Sequence, residues 1–306
     1  MDCVKRASLQ ADPIKELIVK NYVEIKGYND DFIPQHIFEC GQCFRFARLQ
    51  DGSYTIIAKG KVVNVSQNGD SIILKNATDN DVSDIWYDYF DLGTDYSKIK
   101  TALSVDKHLK ESVKYGNGIR ILNQDLWECI LSFIISANNN IPRIQGIVER
   151  LCQRYGDKIE AFGDTYFSFP DAQRLREVKK EDLAFLRAGY RDSYLTDAIF
   201  KVASGEINLD NIKNLNTKEA KCELLKIKGI GNKVADCILL FGNGRRETFP
   251  VDVWVKRSVG TLYKEEIKDM SIHDFAKEKF GDLAGYAQQY LFYYMRENST
   301  GGNKNG

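Results

Sequence analysis

The stretch from Asn216 to Lys256 constrains this chain more than any other, because it joins two amphipathic helices through a turn rich in glycine. Asn216-Thr217-Lys218-Glu219 sets an N-cap residue three positions ahead of a Glu, so a helix opens there and runs through Glu223, Leu224 and Leu225. Gly229-Ile230-Gly231 follows as a tight turn, with both glycines expected to accept backbone angles that a Cβ would forbid. A second helix then carries Val234, Cys237, Ile238 and Phe241 at the i, i+3, i+4, i+7 spacing of one apolar face, and Gly242-Asn243-Gly244 ends it. Such a hairpin leaves backbone N–H groups at the start of its second helix, where a phosphate can sit. Lys233 falls in the first turn of that helix, and Asp252 follows in Pro250-Val251-Asp252-Val253. From these residues alone, an ordinary helical hairpin with a surface Lys and a helix-capping Asp remains open.

A chain of 306 residues is long enough for two or three domains with real cores. It contains no apolar run long enough to span a bilayer and no secretory start, and its seven scattered cysteines are an odd number that argues against a disulfide framework. Cys40 and Cys43 form a CxxC, but no second CxxC or His pair accompanies them. We expect a soluble, intracellular protein in a reducing compartment. The 43 basic and 43 acidic residues balance, so nothing global points to nucleic acid. Between Lys218 and Arg257, however, nine basic residues face five acidic ones, the footprint expected of a surface for a duplex backbone.

Periodicity divides the chain. Asp12-Pro13 is an N-cap and N1 pair that starts a short helix through Val19, after a loosely ordered Met1–Ala11. From Cys43 the period is two, over Cys43–Leu49, Tyr54–Ala58, Val62–Val65 and Ser71–Leu74, with turns at Asp51-Gly52, Gly60 and Asn68-Gly69. That pattern is an antiparallel meander. The period then becomes helical through Ser83–Phe90, Asp95–Ser104, Asp125–Ala137, Pro142–Tyr155, Lys180–Leu186, Ser193–Ala203, the hairpin helices, His273–Phe280 and Gly285–Met295. We therefore expect an α+β protein: an N-terminal antiparallel β-sheet domain over about residues 1–115, then an all-helical two-lobed body over about 116–306 containing the helix-hairpin-helix motif at 216–257. The Gly/Asn-rich end, 299–306, reads as disordered.

The array LLKIKGIGNKVADCILLFGNGRRETFPVDV resembles the helix-hairpin-helix glycosylase superfamily, and Gly231-Asn232-Lys233-Val234-Ala235-Asp236-Cys237 is similar to eukaryotic-type 8-oxoguanine DNA glycosylases. The resemblance runs over nearly the whole chain. It implies that Lys233 is an amine nucleophile and that Asp252 assists it, in base-excision repair of 8-oxoguanine, and of ring-opened formamidopyrimidine guanine, opposite cytosine. Attack at C1′, a Schiff base and β-elimination at the abasic site would follow. Free Lys has a pKa of about 10.4, and the helix dipole, burial and basic neighbours are expected to lower that of Lys233. The related group with an iron–sulfur cluster carries four closely spaced C-terminal cysteines; the last cysteine here is Cys237, so no cofactor and no metal are expected.

The same resemblance implies the rest of the site. Cys237 and Phe292 would clamp a flipped base, Gln288 would bond its Watson–Crick edge, and the backbone carbonyl of Gly41, in Glu39-Cys40-Gly41-Gln42-Cys43-Phe44-Arg45, would read the oxidised ring. Asn138 would fill the vacated duplex space, Tyr190 would wedge the duplex, and Arg143 and Arg191 would bond the orphaned cytosine. Gly229 and Gly231 would hold the backbone of double-stranded DNA. Trp254, Lys228, Met295 and Phe241 depart from the family's usual residues. A monomer without membrane contact is expected. The competing readings are a glycosylase for alkylated purines, against which Lys233 argues, and a non-catalytic DNA-binding module that uses the hairpin alone.

Overall fold

The structure, a computed structural model, describes residues 21–301, with the backbone alone for 299–301. The expected Met1–Ala11 segment, the helix from Asp12 through Val19 and the last five residues of the expected tail lie outside those residues. The remainder of that tail is helical, because the last helix does not end near Met295 but continues to Gly301.

Five strands form one antiparallel sheet in the order β1-β5-β4-β3-β2: β1 (Tyr22–Lys26), β2 (Phe46–Arg48), β3 (Tyr54–Ala58), β4 (Lys61–Asn68) and β5 (Ser71–Lys75). Strands β2 to β5 are the predicted meander. The first was expected from Cys43 but begins at Phe46, because Cys43, Phe44 and Arg45 are all buried rather than alternating. Strand β1 was not foreseen; it pairs with β5, Val23 opposite Leu74 and Ile25 opposite Ile72. A short helix α1 (Pro34–Phe38) interrupts the run from β1 to β2. The helix expected over Ser83–Phe90 is three pieces, α2 (Asp79–Asp81), a π-helical turn over Val82–Trp86 and α3 (Tyr87–Tyr89), which bury Trp86, Tyr89 and Phe90 against the sheet.

The helical part comprises α4 (Tyr96–Leu103), α5 (Lys107–Tyr115), α6 (Leu126–Ser136), α7 (Ile141–Tyr155), α8 (Asp192–Ala203), α9 (Leu209–Asn214), α10 (Thr217–Leu225), α11 (Asn232–Gly242), α12 (Val253–Leu262), α13 (Ile272–Phe280) and α14 (Ala284–Gly301). Side-chain caps open the unforeseen helices: Asp106 accepts the N–H groups of His108 and Leu109 at 2.9 Å each before α5, and Asn208 that of Asn211 at 2.9 Å before α9. The body is not purely helical, because a hairpin of β6 (Lys158–Ala161) and β7 (Asp164–Phe167) projects from it. Its two-residue turn, Phe162-Gly163, has φ of 56° and 84°, the mirror-image turn that suits strand twist.

Two hydrophobic clusters interlock across the chain. Cys40 and Phe44, early in sequence, pack in the helical cluster, and Leu122 packs in the sheet cluster. Gln42 is 0% exposed; its amide donates to the Ile37 and Arg120 carbonyls at 2.8 Å each and accepts from the Leu122 N–H at 2.8 Å. Arg120, equally buried, donates to the carbonyls of Phe90 (3.0 Å), Asp31 (3.1 Å), Thr94 (2.9 Å) and Asp91, and lies 4.1 Å from the Tyr96 ring centroid. A third link is ionic: Arg45 faces Glu128 of α6 at 3.9 Å and donates to the Phe167 carbonyl of β7.

Burial pushes the Glu128 carboxyl up to about 7, with Arg45 opposing the shift. A carboxyl whose folded pKa lies above its unfolded value gives stability that is present below the unfolded pKa and lost as pH rises through the folded one. Thermal stability is therefore expected to fall between about pH 4.5 and 7.5, by at most ~3 kcal/mol from this group. Glu128→Gln should flatten that part of the profile, and melting curves at half-unit pH intervals will show whether the two proteins converge at low pH and diverge at high.

Candidate active site

The hairpin forms as its local chemistry dictates. The Asn216 side chain accepts the Glu219 N–H at 2.9 Å while Glu219 accepts the Asn216 N–H at 3.3 Å, the reciprocal pair that starts α10. Gly229 has φ +82°, and a Cβ there would lie 2.3 Å from the Tyr194 ring. Gly231 is different: at φ −96° and ψ 179° its backbone is extended, with open space where a Cβ would go. The expectation that both glycines are conformationally required thus holds for Gly229 alone. No side chain caps α11, so its exposed first turn presents N–H groups outward.

From there α11 packs Val234, Ile238 and Phe241 into the core, with the Phe241 ring stacked 5.6 Å from that of Phe133 on α6. Lys233 emerges half-buried at the mouth of the resulting cleft, its Nζ 5.8 Å from the Phe133 ring centroid. Asp252 stands across the opening as the N-cap of α12, where Oδ1 accepts the Val255 N–H at 2.8 Å. The cleft, of about 830 Å³, is lined among others by Lys233, Asp252, Asn138, Trp254, Lys256 and Phe292. The capping role of Asp252 is thereby seen directly, and it is compatible with chemistry at the same carboxylate.

The electrostatics correct two expectations. The Lys233 pKa is raised, not lowered: the Cys237 sulfur one turn on acts most strongly, Asp252 acts in the same direction, and burial opposes both. At neutral pH the amine in this structure is an ammonium. Nor are basic neighbours among the influences on it, and several basic residues of the motif are turned toward other partners. Lys221 pairs with Asp236 at 2.7 Å, Lys226 with Glu223 at 2.7 Å, and Arg246 donates to the Leu240 and Ile121 carbonyls at 2.8 and 3.0 Å.

At the floor of the cleft, Gly41, Lys233, Cys237, Asp252, Gln288 and Phe292 surround one small cavity. Cys237 is buried, and burial raises its thiol pKa. Gln288 is 5% exposed, not a surface amide, and its Oε1 is buried there without a hydrogen-bond partner. Gly41, at φ +82°, lies against Phe292, whose Cε1 would be 3.1 Å from a Cβ at that position. The cavity measures about 40 Å³, close to the room of a single water, so a purine could enter only if Phe292 moves.

The remaining predicted residues gather on the opposite rim. Asn138 takes a left-handed conformation at φ 50°, tolerable for Asn, and projects into solvent. Tyr190 is 54% exposed beside it. Arg191 is not a surface ion-pair residue: it is 2% exposed, and its guanidinium donates to the carbonyls of Ala137 (3.1 and 2.5 Å), Asn138 (2.9 Å) and Ala188 (3.1 Å). Arg143 donates to the Arg187 carbonyl at 3.3 Å and is otherwise exposed. Sequence reasoning missed two residues of α14, Gln289 and Arg296, which donate to the Cys40 and Glu39 carbonyls beside Gly41. Their spacing of seven on one helix face was visible, but nothing local named what they would face.

The chain matches two family models, one described as "8-oxoguanine DNA glycosylase, N-terminal domain" over residues 24–130 and one as "HhH-GPD superfamily base excision DNA repair protein" over 131–280. It is 32% identical over 230 residues to the probable N-glycosylase/DNA lyase of Methanothermobacter thermautotrophicus, covering 68% of this chain and 73% of that protein. Among solved structures, MBOgg1 in complex with a low-affinity DNA ligand superposes with a TM-score of 0.87 at 48% identity, covering 91% of this chain and 96% of that one. The Clostridium acetobutylicum 8-oxoguanine glycosylase/lyase, solved with double-stranded DNA containing cytosine opposite 8-oxoguanine, gives 0.87 at 44% identity, covering 92% and 97%.

The contrast between the two hairpin glycines is testable. Gly229→Ala must strain a left-handed backbone and displace Tyr194, and should cost about 1–3 kcal/mol in urea melts. Gly231→Ala should cost less than about 1 kcal/mol, the ordinary price of losing a glycine N-cap. Equal losses would show that the hairpin is not organised as described.

Proposed function

The chain belongs to the 8-oxoguanine DNA glycosylases of the HhH-GPD superfamily of base excision repair proteins, and we propose that Lys233 and Asp252 carry its chemistry while Gly41, Cys237, Gln288 and Phe292 receive the flipped base. The enzyme is bifunctional, an N-glycosylase and a DNA lyase. The observation that carries the residue assignment is the convergence of all six positions on one cavity, although they come from four separate parts of the chain.

The amine nitrogen of Lys233 attacks C1′ of the extruded nucleotide as the C1′–N9 bond breaks. The electrons of that bond leave with the base, which takes up a proton. Opening of the sugar gives a Schiff base between Lys233 and C1′; loss of a C2′ proton then expels the 3′ phosphate. Asp252, held by the cap of α12, places negative charge beside the cationic sugar as it forms. Because the amine starts as an ammonium, it must surrender its proton before it attacks. Binding of the lesion, which separates Lys233 from water, supplies the desolvation that favours this loss.

The Gly41 carbonyl accepts the N7–H that oxidation creates, whereas N7 of guanine is itself an acceptor. Ring-opened formamidopyrimidine guanine offers an N–H at the same place and is taken as a second substrate. The uncapped start of α11, at Gly229 and Gly231, holds a phosphate. On the opposite strand Asn138 and Tyr190 enter the duplex, Arg143 bonds the orphaned cytosine, and Arg191 braces the Ala137–Asn138 turn while sharing its outer N–H with that base. No helix among the described residues is long and apolar enough to cross a membrane, and we place the enzyme on DNA, inside the cell, as a monomer.

Lys233→Gln should bind lesion duplex but yield no borohydride-trapped adduct, and Asp252→Asn should slow single-turnover excision by about 10²- to 10⁴-fold. A trapped adduct in the Lys233 variant would assign the nucleophile elsewhere. The raised Lys233 pKa adds a signed expectation. Trapping on a preformed abasic site should quicken as pH rises.

Excision should be faster opposite cytosine than opposite adenine, because a mismatched hydrogen-bond set costs about 1–3 kcal/mol. Arg143→Ala should flatten the preference at unchanged stability. Arg191→Ala should flatten it and also lower the melting temperature, since three carbonyls lose their donor. Rates measured opposite each of the four bases, beside melting curves, decide between a base-reading and a purely bracing Arg191.

A further inference from the structure

We propose that Gln289 is a positioning residue for lesion discrimination, setting the orientation of the Gly41 carbonyl from behind the base cavity. The proposal rests on the reading of Gly41 as the group that meets N7–H. A hydrogen bond weakens steeply once its angle departs from linear, so a backbone carbonyl can discriminate only if its peptide plane is held. Glycine at φ +82° is the least restrained link available to hold it.

The restraint comes from α14. Gln289 is 2% exposed, and its Nε2 donates to the Cys40 carbonyl at 2.8 Å, across 249 residues of sequence. That bond fixes the peptide plane entering Gly41. Arg296, two turns further along the same face, donates to the Glu39 carbonyl and lies 5.4 Å from the Phe292 ring centroid. On the other side of Gly41 the Gln42 side chain is held by Ile37, Arg120 and Leu122, and the Gln42 carbonyl accepts the Gln124 amide at 2.7 Å. The Gly41–Gln42 peptide that carries the reading carbonyl is therefore bracketed between two held planes, the first of them held by Gln289. Gln289, bonded to the peptide before the reading carbonyl, thus ties that loop to the helix that carries Gln288 and Phe292, as Arg296 does one residue earlier. When Phe292 moves to admit a base, α14 and the Cys40–Gly41 peptide remain coupled through it. Gln289 is buried, so water does not readily replace a lost donor.

Gln289→Met keeps the volume and removes the donor. Binding is measured in a Lys233→Gln background, where no base is released, with duplexes carrying 8-oxoguanine, its 7-deaza analogue or guanine opposite cytosine. The analogue keeps the C8 oxygen and lacks the N7–H. The Gln289→Met substitution should weaken binding of 8-oxoguanine by about ten-fold, leave the 7-deaza analogue unchanged, and so narrow the gap between lesion and guanine. With Lys233 intact, Gln289→Met should cleave a preformed abasic site within about two-fold of the unaltered protein. Equal weakening on 8-oxoguanine and the analogue, a matching loss of abasic cleavage, or no weakening at all would each overturn the proposal. Failure of the underlying Gly41 reading looks different: the protein with Gln289 intact would then bind 8-oxoguanine and its 7-deaza analogue equally.

Discussion

Gln42 and Arg120, two polar side chains sealed between two hydrophobic clusters, hold the geometry on which the rest of the molecule depends. Among the described residues Arg120 has no carboxylate partner at close range. Each of the two is satisfied by backbone carbonyls and N–H groups from segments that would otherwise be unpaired in the interior. Burying such groups without partners would cost several kcal/mol, so the network is satisfied as a whole or the interface does not form. Because Gln42 is the residue after Gly41, the bonds that join sheet to helices also anchor the loop at the floor of the cleft.

The same economy governs charge. A chain with balanced charge and a locally basic motif uses most of those cations within the protein, pairing Lys221 with Asp236 and turning Arg245, Arg246 and Arg191 onto carbonyls. Lys233 is left at the cleft beside the Cys237 sulfur, whose buried thiol stays protonated, and the Asp252 carboxylate, which favours its ammonium form. Reactivity is therefore not preset by the hairpin. On the proposed assignment it comes with the desolvation that a bound nucleotide brings, so that the amine would be most nucleophilic when the substrate is in place.

The cleft also combines rigid and movable parts. Asp252 is tied to α12 by its cap, and Lys233 rides on a helix packed against α6. Phe292 and Gln288 sit on α14, over a cavity with room for about one water. On the proposed assignment the hairpin would hold the chemistry, while admission of the base would depend on the last helix. Among the described residues the buried Oε1 of Gln288, which lines that cavity, has no hydrogen-bond partner, and on the proposed assignment the edge of an incoming base would supply one.

Much of this was legible along the chain. Asn216 and Glu219, the period-two runs from Tyr54 to Leu74 and the apolar face of α11 announce their structures within a few residues, because caps, turns and periodicity are local physics. The places of Lys233 and Asp252 could be read for the same reason. Strand β1 and the β6–β7 hairpin were missed although their alternation was present, since each is short and β1 pairs with a strand far along the chain. What only tertiary structure decided is where side chains with several possible partners spend their bonds. Nothing near Arg191 specifies the Ala137 and Asn138 carbonyls, nothing near Gln289 specifies Cys40, and the Lys233 pKa depends on which charges end up beside it. Those outcomes belong to the packed interior, where low dielectric and the demand that every buried polar group be satisfied select partners that sequence separation hides.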